Sequence, residues 1–245
     1  MDKVRTVSDT KRDFYTHHAR PINSVYRRFI EELLVEMHLL SVNVDFCYDP
    51  IYALGVVTSF ERFVQGYRPQ KDKDSIFSAL CYSVGGNAEQ YRQEAQTLLT
   101  DVKGMSVSDF MEILKAASSQ VPKDGIFCET LQGIAQNSRF KYSRLFTVGL
   151  YTLIMELDSD IVENQEQSNQ IFGKIAEIIH LSSDKLQKDL DLYRSNLDKI
   201  EQLLAVIEDA LEAERKKQKK ATQQTQTTDS SVSSNNDSKD DSNNL

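Results

Sequence analysis

Eight apolar residues near the C-terminal end, Leu186, Leu190, Tyr193, Leu197, Ile200, Leu204, Ile207 and Leu211, recur at alternating intervals of four and three. Such spacing keeps one seam on a single helical face and is the signature of a heptad-patterned helix. Ser182 or Ser183 can cap it, and no Gly or Pro interrupts the chain through Lys220. At about 1.5 Å per residue the helix would extend roughly 55 Å, longer than the body it leaves. Leu192, Leu203 and Val206 widen the apolar face, which favours packing of the first half on the same chain. The second half, from about Leu204, is then expected to project and offer Ile207, Ala210 and Leu211 to a partner. A homodimeric coiled coil is the competing use of this seam. The ERKKQKK run from Glu214 to Lys220 places cations at the negative end of the helix dipole, a structural reason for its charge.

The remainder also reads as helical, because β-branched residues do not alternate with polar ones. Asp49-Pro50 supplies an N-cap and a first-turn proline ahead of Ile51, Leu54, Val57 and Phe60, and Gly66 lies just past the end. Ser8 is the expected cap of a short first helix that Pro21 must stop near Arg20. A second helix is expected over 21–40, with Val25, Phe29, Leu33, Met37 and Leu40 inward. Others are expected at 74–84, ended by Gly85-Gly86; at 88–103, with Asn87 and Gln90 as a capping pair; and at 107–118. The segment between Pro122 and Asp158 is apolar on several sides and predicts one central buried helix. A helix over 161–180 turns Ile171, Ile175, Ile178 and Ile179 inward. The fold class is therefore all-α, organised as a helical globular domain over 1–181, a long C-terminal helix over 182–220 and a polar tail over 221–245. That tail holds one valine and one leucine, too little apolar surface to offset its ordering entropy, so it is expected to be disordered.

A chain of 245 residues that is 40% hydrophobic can bury a sizeable core. Its formal charge of −8 argues against non-specific nucleic-acid binding. The charge is uneven: residues 1–30 carry seven Lys or Arg against three Asp, whereas residues 31–184 carry twelve against twenty-two acids. An anionic partner would meet the N-terminal end. Cys47, Cys81 and Cys128 form neither a C-x-x-C pair nor an even framework, which fits a reducing compartment. With only Asp2 and Lys3 between Met1 and Val4, no signal sequence or transit peptide is expected. The longest apolar stretch, Leu145 to Met155, is eleven residues broken by Thr147, Gly149 and Thr152, well short of the about 20 that a membrane span needs. Membrane contact is expected to be peripheral.

Catalytic apparatus is not found. There is no phosphate-binding glycine loop, dinucleotide fingerprint or nucleophile elbow. The histidines, His17, His18, His38 and His180, include no H-E-x-x-H and no i, i+4 pair, so they read as surface or half-buried residues and no metal or cofactor is assigned. Glu32, Glu36 and His38 could approach one another but lack ligand spacing. Glu31-Glu32 and Asp158-Asp160 read as solvated faces. Tyr15, Tyr26, Tyr48 and Tyr52 cluster with Phe14, Phe29 and Phe46, for which helix packing outweighs a ligand pocket. The basic set Arg5, Lys11, Arg12, Arg20, Arg27 and Arg28 reads first as a solvated face and second as a docking surface for anionic head groups or an acidic partner.

The blocks YTHHARPINSVYRRF, EELLVEMHLLSVNVDF and DPIYALGVVTSFERF within residues 4–66 resemble the start of the thylakoid-formation family, the photosystem II biogenesis proteins of cyanobacteria and plastids. The likeness weakens over 70–212, where length, helical pattern and the heptad helix carry it. The resemblance implies a peripheral thylakoid factor on the cytoplasmic side, with a soluble pool, acting in photosystem II assembly and repair with membrane-bound FtsH protease complexes. It brings no catalytic residues. The implied function is non-enzymatic scaffolding, with Arg27, Arg28, Leu204, Ile207 and Leu211 as partner-binding candidates. The rivals are a helical ligand- or metal-binding protein and a coiled-coil membrane tether without protease involvement.

Overall fold

The computed structural model describes residues 5–119, 121, 124–158, 160–161, 164–202, 204–206 and 209, and among these it contains helices and no strand. The helices are α1 (Val7–His17), α2 (Ser24–Ser41), α3 (Pro50–Phe63), α4 (Gln70–Ser83), α5 (Ala88–Val102), α6 (Val107–Ser119), α7 (Ile126–Gln136), α8 (Arg144–Leu157) and α9 (Gln165–Ile178). A tenth, α10, covers 183–197 and closes the first of two compact units, which ends at Leu197. In the second unit, residues 198–202 and 204–206 are helical.

Local chemistry sets the helix starts, and several differ from expectation. Thr6 caps α1 in place of Ser8: its hydroxyl accepts from the Asp9 amide at 3.2 Å while the Asp9 carboxylate accepts from the Thr6 amide at 3.1 Å. Ser8 would need an acid at position 11, where the chain has lysine. Asn23 starts α2, accepting from the Val25 amide at 3.0 Å, so Pro21 and Ile22 belong to the connection. The inward face of α2 is centred on Tyr26, Ile30, Leu33, Leu34 and Met37, with Val25 and Phe29 half-buried at its edge. Each four-residue step advances about 40° round a helix, so a row starting at Val25 begins off-centre and reaches the core only by Leu33. Helix α4 begins at Gln70, four residues earlier than its pattern indicates. Asn87 caps α5, but Gln90 bonds forward to Glu94 and does not reciprocate.

The expected single helix between Pro122 and Asp158 is two. Helix α7 ends at Gln136, and Ser143 starts α8 by accepting from the Phe146 amide at 3.1 Å. Phe140 lies in the connection and packs edge-on against Phe146 at 5.2 Å. Polar Asn137, Ser138 and Arg139 interrupt the apolar pattern there.

The central position is shared by α8 and α3. Helix α3 starts at Asp49 and Pro50 as expected, but it is buried on most of its circumference. Ile51 and Leu54 join the core formed by α5 to α10, which includes Leu186 and Leu190 of α10. Tyr52, Ala53, Val56 and Phe60 join the core formed by α1, α2 and α4. The helix therefore belongs to both hydrophobic clusters and ties them into one unit. In α9, Ile171, Ile175, Ile178 and the adjoining Ile179 are buried as their spacing predicts.

Candidate partner-binding groove

The outer face of α2, opposite its core stripe, repeats at helical spacing through Arg28, Glu32, Val35, Glu36 and Leu39. Together with residues 141–145 before and at the start of α8, and with α10, it lines an open groove of about 1260 Å³. Its walls are organised by ion pairs. Lys11 Nζ lies 2.7 Å from Glu31, which also accepts from the Tyr15 hydroxyl at 2.8 Å. Arg28 Nε donates to Glu32 at 3.0 Å, and Arg144 donates to Glu36 at 3.2 Å. At the α10 wall the Tyr142 hydroxyl donates to Asp189 at 2.7 Å and contacts Thr147, and Lys185 Nζ sits 4.8 Å from the centre of the Tyr142 ring.

Burial is graded across these groups. The Glu36 side chain is 23% exposed, and burial raises its pKa against the opposing pull of Arg144. Glu31 moves the other way, held down chiefly by its hydrogen bond from Lys11. Burial pushes the Tyr142 phenol up, which keeps it a neutral donor.

Arg27 and Arg28 are both exposed and both line the groove. Arg28 is committed to Glu32, whereas Arg27 makes no direct ion pair among the described residues and acts on Glu31 from further away. Leu204 is half-buried and belongs to the second unit, while Ile207 and Leu211 lie outside the described residues. Lys141, Arg144, Lys185, Leu39 and Leu192 also line the groove, and none of them is singled out as a site residue by the sequence. Leu39 and Leu192 did leave a signal: one is the outward member of a leucine doublet and the other stands off the heptad seam.

The first third of the chain uses its aromatics for packing. Tyr48, Tyr52 and Tyr91 meet edge-on with ring centres 5.0 to 6.1 Å apart, and Phe46 packs on Tyr52 at 4.9 Å. Two of the histidines expected at the surface or half-buried are instead fully buried. His18 and His38 are 1% and 3% exposed, the first bonding Ser75 at 2.9 Å and the second Thr10 at 2.8 Å. Both sit at helix crossings, where one ring nitrogen finds a hydroxyl and the ring fills space. His38 thus points away from Glu32 and Glu36, which pair with Arg28 and Arg144. Among the described residues, no three His, Cys, Asp or Glu side chains gather as a metal site would require, and no helix is long and apolar enough to cross a membrane.

The sequence pattern of the thylakoid formation protein family matches residues 6–222. The chain belongs to this family. The likeness apparent in residues 4–66 therefore continues through the helical body. Protein Thf1 of Rippkaea orientalis is 68% identical over 217 residues, covering 89% of this chain and 92% of that one. Protein Thf1 of Synechocystis sp. is 54% identical over 217 residues, covering 89% and 90%. The solved structure of Psb29 superimposes with a TM-score of 0.75 at 44% identity, covering 87% of this chain and 98% of the other. An all-α architecture is thus common to this thylakoid formation protein and its solved relative.

Proposed function

We propose that this chain is a non-enzymatic accessory protein of thylakoid and photosystem II biogenesis and repair, which binds membrane-bound FtsH protease complexes from the cytoplasmic side and stabilises them. Family membership over residues 6–222 carries the thylakoid assignment. The observation that favours a binding role is the groove along α2, a concave surface on which Leu39 and Leu192, 57% and 41% exposed, stand beside a row of charged side chains. A protein that engages only the assembled protease shifts its assembly equilibrium by mass action, by about 2.7 kcal/mol at a concentration one hundredfold above Kd. Peripheral attachment is consistent with the lack of a spanning helix among the described residues.

Affinity capture from detergent-solubilised thylakoids, paired with measurement of protease abundance in a deletion strain, tests this function. Recovery of protease subunits and reduced protease abundance without the protein are expected. Capture of no protease subunit together with normal protease levels would overturn the scaffold reading.

A further inference from the structure

The groove combines three properties that constrain what can lie in it. It is concave, with a volume of about 1260 Å³. Its exposed apolar side chains, Leu39 on α2 and Leu192 on α10, stand on different walls. Its cations are in excess: Lys11, Arg27, Arg28, Lys141, Arg144 and Lys185 line it against Glu31, Glu32, Glu36 and Asp189. Among the described residues Arg27, Lys141 and Lys185 make no direct ion pair, the Arg27 charge acting on Glu31 only from further away. This cationic surplus lies on a chain whose formal charge is −8.

We infer that the groove is a docking site for an acidic amphipathic helix of a partner protein, with the partner's apolar stripe set on Leu39 and Leu192 and its carboxylates facing Arg27, Lys141 and Lys185. The inference rests on the scaffold reading for its biological setting and deepens it by naming the chemistry of the ligand. A helix about 10 Å in diameter presents an apolar stripe flanked by polar residues, the arrangement that recurs when helices lie in protein grooves. Charge surplus on the rim steers such a ligand and fixes its orientation, while the desolvated leucines supply the contact energy. An anionic lipid surface fits less well. It is broad and uniformly negative, and it would press on the four carboxylates of the lining, whereas a helix can place each charge individually.

The test is fluorescence anisotropy with the full chain and a labelled synthetic helix of about 15 residues, with Leu at i, i+3, i+4 and i+7 and Glu elsewhere. The controls are the same peptide with Lys replacing Glu, and vesicles of phosphatidylglycerol in phosphatidylcholine. The acidic peptide is expected to bind and the basic one not. Arg27→Glu combined with Lys141→Glu should weaken the acidic peptide at least about tenfold, and Leu39→Ser combined with Leu192→Ser should do likewise. These positions are exposed and make no direct ion pair among the described residues, and an unchanged helical circular dichroism spectrum and thermal midpoint will verify that each variant is folded. Equal binding of both peptides, no binding of either, or undiminished binding by either folded variant would overturn the inference. Vesicle binding that needs Arg27 and Lys141 while the peptide fails would overturn it in favour of a lipid surface. The two proposals fail separately: thylakoid capture of protease that survives both double substitutions removes the groove and leaves the scaffold, and peptide binding without protease capture does the reverse.

Discussion

Gly55 of α3 and Gly149 of α8 face each other where the two helices cross. A Cβ built on Gly55 would lie 1.7 Å from the carbonyl oxygen of Leu145 and 3.1 Å from the amide nitrogen of Gly149, and one built on Gly149 would lie 2.0 Å from the carbonyl oxygen of Ile51. The obstructing atoms are backbone, so no side-chain rotation relieves the clash. Because α3 belongs to both hydrophobic clusters, this crossing sets the separation on which the whole body depends.

Gly55→Ala is therefore expected to destabilise the protein by about 3 kcal/mol or more, since overpacking a dense core costs about 1–3 kcal/mol even where side chains can yield. Gly133→Ala is the contrasting substitution: it lies within α7 with nothing within 4 Å of the added carbon, and should stabilise by about 0.5–1 kcal/mol through helix propensity. Urea unfolding of the two variants against the wild type gives the comparison, and equal effects would contradict the crossing geometry.

Periodicity marks the buried face of a helix such as α9, is off-centre in α2 and misses the all-round burial of α3, and it does not say which helices meet. Asp49-Pro50 marked the start of α3 because capping is local, and Ile171, Ile175 and Ile178 marked the inner face of α9 because helical spacing is local. Gly55, read alone, is only a weak spot in a helix. Its meaning comes from Gly149, far along the chain, and no local pattern links the two. The groove was partly legible for the same reason. Arg27 and Arg28 stood out as neighbours in a basic N-terminal stretch, whereas Lys141, Lys185 and Leu192 join them only through tertiary packing. The burial of His18 and His38 is not legible, because a histidine bonded to a hydroxyl across a helix crossing gives no pattern in the sequence.

Asp49 should give the protein a pH dependence opposite in sign to that of a salt-bridged carboxylate. Burial raises its pKa from 3.8 to about 7, against the lowering effect of hydrogen bonds from the Tyr52 and Ile51 amides. The folded state then holds a proton that the unfolded state has lost. This contribution to stability is fully present below about pH 4 and is lost as pH rises through about 7. Asp49→Asn keeps an oxygen for the cap on Tyr52 and removes the titration. Its stability relative to wild type should rise by a few kcal/mol between pH 4.5 and pH 8, measured by urea unfolding at both. A parallel pair of profiles would rule out Asp49 as the titrating group.

The buried bond between Thr10 and His38, 2.8 Å long, joins α1 to α2. Thr10→Val preserves shape and leaves a ring nitrogen without its partner, at a cost of about 1–3 kcal/mol. Burial lowers the pKa of His38 below 6.5, so its neutral form belongs to the folded state. The associated stability is present above that value and is lost as pH falls. His38→Phe should therefore lose less stability than wild type on going from pH 7.5 to pH 5.5, as followed by thermal unfolding.

Two ion pairs of the groove, similar in length, should differ in strength because they differ in burial. Arg28 and Glu32 meet at 3.0 Å with side chains 81% and 62% exposed, whereas Arg144 and Glu36 meet at 3.2 Å with side chains 55% and 23% exposed. Water screens the first pair on both sides, so a double-mutant cycle should give a coupling of at most about 0.5 kcal/mol. Glu36 is already penalised by burial, and Arg144 offsets this most, with the Leu145 amide adding a smaller share. Arg144→Met should raise the Glu36 pKa further. The variant's deficit would then grow as pH climbs above about 4.5, because the unfolded chain ionises freely while the folded one must hold an unmatched charge. A coupling near 1 kcal/mol at pH 8 that shrinks at pH 4 is the expected result. Equal couplings for the two pairs would show that burial at Glu36 does not control its energetics.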